Sequence, residues 1–366
     1  VSELRRKAGV AKRRLINAKA ELLPKPAVAD ANKPFAREYG PKEYAAEDAL
    51  ATEAIHARLT DEDLAAIAAK AESDTTLVDF PVPPGAPPKQ IPLNQPWKES
   101  TGVDRKRNDL MLGTHFAEPA FLEKTGLTTA TPPEEIHAMT HSPFAAGGGF
   151  YQADLVAAGL ASAGSPISSG DRILDFGCSS GRVARVLHAA YPEAQILGCD
   201  PNGPAVEWAA ENLHGIEFSK SENEPPLPYE TNSIAAAFGI SIWSHYAEAL
   251  ALRWYDEIYR VLKPGGHLVS TTHGPQSIDF YGDIGLRSNQ QLNDIRESLY
   301  LRGYWYAPEF GEKGDWGVVN SEWGTSFVSA DWMLDKLTPK WEIVEYATAR
   351  NEDNQDVYVL RKPLGA

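Results

Sequence analysis

Asp175, Gly177, Gly181 and Asp200 stand at spacings that suit a nucleoside site. The run DRILDFGCSSGRVARVL (171–187) reads as strand, glycine turn and helix, and ILGCD (196–200) reads as a second strand ending in an acid. An acid at that tip can accept hydrogen bonds from both hydroxyls of a ribose. Glycines at 177 and 181 permit a tight turn and a close approach of backbone to a ligand. The dinucleotide fingerprint G-x-G-x-x-G instead seats a pyrophosphate on a helix N-terminus. Here the turn is G-C-S-S-G, and Asp175 just before it repels a pyrophosphate and suits a ligand carrying an ammonium or a sulfonium. The pattern favours S-adenosylmethionine over NAD. Further along, His245 and His273 fall just past two expected strands. They are candidate bases for a hydroxyl acceptor, because imidazole titrates near working pH. For each, the alternative is a structural bond to a backbone carbonyl at a strand end.

The elements that must position these residues can be read from pattern. Ile173, Leu174 and Phe176 suit a strand buried on both faces. Val183, Val186, Leu187 and Ala190 put an apolar stripe on the following helix. Further strands are expected near 195–199, 216–218, 234–240, 267–272, 341–347 and 356–361, with a helix at about 150–160 before the first. Alternation of this kind gives an α/β, Rossmann-like, doubly wound sheet. Its ligand lies at the carboxyl ends of the strands.

Three stretches resemble class I S-adenosylmethionine-dependent methyltransferases. LDFGCSSGR is similar to their first motif, and PPLPYETNSIAAAFGISIWSHY (225–246) and RVLKPGGHLVSTTHG (260–274) to their fourth- and fifth-strand motifs. With the terminal QDVYVLRKP, the set resembles a bacterial subgroup associated with polysaccharide and glycoconjugate biosynthesis. The resemblance covers about residues 140–362. It departs from the family at Ala235, where an acid is usual. It implies a seven-stranded, mostly parallel sheet with the last strand antiparallel. It also implies that Asp175, Gly177 and Gly181 line the methionine part of S-adenosyl-L-methionine, with Cys178 a small thiol beside it. Asp200 then holds the ribose, Pro201 and Asn202 flank the adenine, and Asn223 reads the adenine amino group. Ile240 and Ser241 form the floor near the sulfonium. The Gly147–Tyr151 segment folds over the cofactor or serves as a hinge.

The chain has 366 residues, 43% of them apolar, enough for one large domain and a smaller part. A net charge of −15 argues against nucleic acid as a partner. No apolar run is long enough to span a bilayer. The two cysteines, Cys178 and Cys199, suit a reducing cytoplasm and do not form a metal-ligand set. The organisation expected is a basic, heptad-patterned helix (1–23), an extension (24–140), a core (141–274 and 341–366) and an insertion (275–340). Residues 1–22 could self-associate, dock a partner or touch an anionic membrane, or form only a solvated surface helix. Residues 43–72 read as helical, with Thr60 and Asp63 as an N-cap pair. The proline-rich stretch 81–96 reads as an extended strap and not a packed element. The aromatics of the insertion, from Tyr300 to Trp332, suit a sugar acceptor or a satellite core, with a lid at 300–325. The expected activity is methyl transfer to a sugar hydroxyl of a glycan or glycoconjugate. The alternatives are a small natural product or metabolite as acceptor, or a catalytically silent cofactor-binding scaffold.

Overall fold

The structure, a computed structural model, describes residues 48–80, 89–136, 149–310 and 319–365. All of these fall in one compact unit. The basic N-terminal helix expected at 1–23 lies outside the described residues.

A seven-stranded sheet organises the unit. In chain order its strands are β3 (Arg172–Phe176), β4 (Gln195–Asp200), β5 (Glu217–Lys220), β6 (Ile234–Gly239), β7 (Leu262–His273), β10 (Glu342–Asn351) and β11 (Gln355–Arg361). They lie side by side as β10-β11-β7-β6-β3-β4-β5. The pairs from β5 to β7 are parallel, and β11 runs antiparallel between β7 and β10. The fold is thus the α/β, Rossmann-like sheet expected. The chain moves outward from β3 through β4 to β5, then returns to place β6 on the other side of β3. That reversal opens a crevice at the carboxyl ends of β3 and β6.

Alternation along the strands sends side chains into two cores. Ile173, Ile196, Phe238, Val269 and Val359 enter one; Leu174, Phe176, Leu197, Leu268 and Tyr358 enter the other. The first core lies under helices α6 (Phe150–Ser162) and α7 (Ala184–Ala190). The second holds helix α9 (Glu248–Val261) through Trp254, Tyr255 and Ile258, where Trp243 stacks on Tyr255 at 4.7 Å. Each large side chain so buried contributes about 1.5–3 kcal/mol.

Two expectations outside the sheet are corrected. The helical stretch at 43–72 is, over its described part, two helices, α1 (Leu50–His56) and α2 (Asp61–Ser73), and the capping box of Thr60 and Asp63 starts the second. The break is anchored by Arg58, whose guanidinium donates to the carbonyls of Thr125 and Ala190. The proline-rich stretch is packed in its described part. Strand β2 (Lys89–Pro92) pairs antiparallel with β1 (Leu77–Phe80), and Ile91, Leu93 and Trp97 are buried. Prolines are tolerated here because a two-stranded ribbon has only edges. The extension continues with helices α4 (Gly102–Phe116) and α5 (Pro119–Thr125) after the short α3 (Gln95–Glu99). These N-terminal elements share the first core with β3 and α6.

One buried charge network ties them there. Asp154 of α6 accepts from the amide and hydroxyl of Thr52, at 2.8 and 2.7 Å, and from Arg107 Nε at 2.9 Å. Breaking a buried pair from one side strands the other charge. Arg107→Ala should therefore cost about 3–5 kcal/mol, read as a lower urea midpoint, whereas Arg105→Ala on the same helix should cost far less.

Candidate functional site

The crevice is built on two carboxylates. Asp175 pairs in register with Gly198, so Asp175 and Asp200 point to the same face of the sheet from adjacent strands. That face is the one covered by α6 and α7. Asp175 is 4% exposed, and its Oδ2 has no hydrogen-bond partner. Burial, reinforced by the charge of Asp200 and opposed by Arg182, pushes its carboxyl up to about 8. Asp200 is also raised by burial. Its two oxygens accept from the amides of Ser179 and Asn202, each at 2.8 Å.

The turn between them is shaped by backbone bonds. Both Gly177 and Cys178 donate their amides to the carbonyl of Cys199, at 2.8 and 3.1 Å. Gly177 has φ +84°, and a Cβ there would stand 2.2 Å from Ile242 Cδ1. The glycine is thus required, but its open side is filled by Ile242 of the loop after β6. Gly181, at φ +76°, is likewise backed by Leu213 and Phe218, so protein packing and not a ligand occupies its open side. Cys178 and Cys199 are buried free thiols. Asn202 caps helix α8 (Gly203–Asn212) through a bond from the Ala205 amide, with Pro201 half-buried beside it.

The remaining expected positions divide. Ile240 and Ser241 close the end of β6, and Ser241 adopts φ +63°. Asn223 is tied to the insertion, donating to the carbonyl of Val319 at 3.2 Å. Phe150 is buried in the first core, so its ring packs against protein, a correction of its expected place over the cofactor. Gly147 and Gly148 lie outside the described residues. Gly149 lets α6 approach the turn: a Cβ there would stand 2.3 Å from the Arg182 carbonyl oxygen.

The two histidines are buried and bonded to backbone carbonyls. His245 Nδ1 bonds the carbonyl oxygen of Gly324 at 2.8 Å, and His273 Nδ1 that of Ser326 at 3.0 Å. A carbonyl only accepts, so each Nδ1 carries the proton. His273 Nε2 then accepts from Tyr281 Oη and Gln355 Nε2, both at 3.3 Å. Burial, with His245 and Arg287 nearby, lowers His273 to about 3, so it stays neutral. Both histidines brace the strand Thr325–Val328 (β9), which pairs with Tyr304–Ala307 (β8), against the ends of the main sheet. The insertion's aromatics largely serve the same end. Tyr304, Trp323, Phe327 and Trp332 are buried, and Trp323 stacks on His245 at 4.7 Å. Tyr300 is exposed, and Trp316 lies outside the described residues.

Sequence reasoning missed several polar residues. Gln152 and Arg182 join through Arg182 Nη1 and Gln152 Oε1 at 3.0 Å, and Gln152 donates to Glu352 at the β10–β11 turn. Gln355 donates to Ser241 Oγ at 2.7 Å and accepts from Thr271 Oγ1 at 2.7 Å. The available signal was a polar Gln-Asp pair opening the apolar run Val357–Leu360.

The site fits S-adenosylmethionine. A buried carboxylate with an unpartnered oxygen suits a cation, and Asp200 keeps lone pairs for hydroxyl donors. Residues 173–266 match the family described as a methyltransferase domain. Over 104 residues the chain is 31% identical to trans-aconitate 2-methyltransferase of Methylobacterium nodulans, covering 28% of this chain and 38% of that protein. It is 32% identical over 151 residues to the ubiquinone/menaquinone biosynthesis C-methyltransferase UbiE of Desulfotalea psychrophila, covering 38% and 59%. It is 32% identical over 123 residues to a phthiotriol/phenolphthiotriol dimycocerosates methyltransferase of Mycobacterium leprae, covering 31% and 43%. The chain thus spans less than two thirds of each of these relatives. Among solved structures, it is similar to geranyl diphosphate C-methyltransferase from Streptomyces coelicolor A3(2), at 12% identity and a TM-score of 0.39. That likeness covers 66% of this chain and 90% of that one.

The raised carboxyl of Asp175 has a sign that can be tested. In the unfolded chain it titrates near 3.8, and in the fold at about 8. Between those values the fold holds a proton that the unfolded chain has lost, so stability falls as pH rises through the window. Asp175→Asn should flatten that fall and be more stable than wild type at pH 8 by about 1–3 kcal/mol, measured by urea denaturation at pH 5 and 8.

Proposed function

We propose that the protein transfers a methyl group from S-adenosylmethionine to a small-molecule acceptor. The observation that carries this reading is the pair of buried carboxylates on adjacent strand tips beside a glycine turn, inside the segment that matches a methyltransferase domain. The cofactor supplies an electrophilic methyl on a positively charged sulfur. Asp200 accepts from the ribose hydroxyls. Asp175 balances positive charge, which draws its carboxyl back toward the ionised form. The loop Ile240–Ile242 and the β10–β11 turn flank the acceptor side and exclude water there.

A sugar hydroxyl is the narrower reading, and its supports have thinned. It drew on His245 and His273 as candidate bases and on the aromatics of the insertion, and both sets of residues are largely spent on bracing the insertion. The relatives' names describe a tricarboxylic acid, quinone precursors and lipid-like molecules as acceptors. A small metabolite or lipid-like acceptor is therefore preferred. With His273 neutral and its Nε2 occupied, an acceptor that is already anionic, such as a carboxylate or a phenolate, suits the site better than an alcohol.

Calorimetric titration tests the reading directly. S-Adenosylmethionine should bind with micromolar affinity and NADH should not bind. Asp200→Ala should weaken the first by about tenfold or more, a loss of charge-assisted hydrogen bonds. Absence of binding by wild type would sink the proposal. A transfer screen over a tricarboxylic acid, a naphthoquinol, a phenol and a methyl glycoside should place turnover among the first three; turnover with the glycoside alone would restore the sugar reading.

A further inference from the structure

The β10–β11 turn reaches the crevice because β11 is the antiparallel strand, so it begins where the parallel strands end. Its first residue, Gln355, is 4% exposed and pairs in register with His273. Its carboxamide meets five partners. Nε2 donates to Ser241 Oγ at 2.7 Å, to His273 Nε2 at 3.3 Å and to Ser244 Oγ at 3.5 Å. Oε1 accepts from Thr271 Oγ1 at 2.7 Å and from Asn351 Nδ2 at 3.0 Å. The next residue, Asp356, points to the opposite face. It accepts from the Ala349 amide and the Tyr346 hydroxyl, and so shapes β10 instead.

Ser241 is the point on which this network converges. It lies at φ +63°, a left-handed conformation that a non-glycine residue avoids unless its surroundings enforce it. Its amide donates to Thr271 Oγ1 at 2.7 Å, and its hydroxyl meets Gln355 and, at 3.0 Å, Ser244. The loop it belongs to lies directly over the glycine turn, where Ile242 fills the open side of Gly177. Asp175, two residues before that glycine, is the group that calls for a cation. A ligand whose charge sits at Asp175 therefore lies against Ile240–Ile242.

Resting on the methyltransferase reading above, we propose that Gln355 is a positioning residue: it holds Ser241 in its left-handed conformation and thereby sets the floor against which the charged sulfur end of the cofactor rests. The same bond makes the C-terminal hairpin part of the cofactor site. Gln355 acts through Ser241 and is assigned no contact with the reacting atoms.

The test compares S-adenosylmethionine with S-adenosylhomocysteine, which lacks the methyl and the sulfonium charge and keeps the remainder. Calorimetry on the full chain should show that Gln355→Met lowers the preference for the sulfonium ligand about threefold or more. Thr271→Val removes the acceptor of the Ser241 amide while keeping a strand-compatible shape. It should shift the preference the same way, and it serves if Gln355→Met does not fold. Glycine adopts positive φ unaided, so in a Ser241→Gly background Gln355→Met should shift the preference by less than about twofold. Melting temperatures separate this from general loosening, which would weaken both ligands by one factor. Equal weakening of the two, or no change in either folded variant, overturns the role of Gln355. Failure of wild type to bind either ligand overturns the cofactor reading, and this inference with it.

Discussion

Two carboxylates placed side by side with little solvent are the constraint around which this molecule is arranged. Asp175 and Asp200 share one face of adjacent strands, and Asp175 keeps an oxygen with no partner. Leaving such a group buried costs stability unless it is neutral or matched. A purely structural core would be as stable or more so with an apolar residue there. A fold that retains it, at a switch point and beside a turn made from two positive-φ glycines, retains a place for positive charge. The surrounding elements serve that place: α6 and the N-terminal helices cover the face, and the β10–β11 turn closes one end of the crevice.

The insertion shows how the same residue types can be committed to different work. His245, past the fourth strand of the main sheet, and His273, the last residue of the fifth, stand where a base could stand. Yet two residues of β9 and its flank, Gly324 and Ser326, offer carbonyls to their Nδ1 atoms. The segment 243–246 also bonds backbone to backbone with this strand, through the amides of Gly324 and Ser326. The insertion is therefore fastened to the sheet along a seam of hydrogen bonds, and its aromatic rings thicken that seam. A base needs a nitrogen that can take a proton and keep it; burial makes that unfavourable at His273.

Much of this was legible in the sequence. Strands with apolar runs, such as Arg172–Phe176 and Gln195–Asp200, announced themselves, because residues buried on both faces leave no other pattern. The capping box at Thr60 was equally local. What escaped depends on contacts between distant residues. The paired strand at Lys89–Pro92 is hidden by its prolines, whose local meaning is extended chain. The fate of His245 and His273 depends on partners some 50 to 80 positions away. Phe150 and Tyr151 looked like one flap because they follow glycines, but Phe150 turns into the core while Tyr151, with Gln152, reaches the hairpin.

The antiparallel strand explains why the C-terminal hairpin matters to a site written in the middle of the chain. A parallel strand in that position would present its carboxyl end to the crevice and place any turn residues on the opposite edge. Reversing it delivers the turn itself to the ligand side, carrying Asn351, Glu352 and Gln355. Three residues there, Ala349, Glu352 and Asp353, take positive φ without being glycine; the Ala349 amide donates to Asp356, and Glu352 accepts from Gln152 of α6. Such strain persists only where the surroundings over-determine it. Here the determining contacts run from the turn to Gln152 and Arg182 on one side and to Ser241 and Thr271 on the other. The hairpin thus bonds to both walls of the crevice.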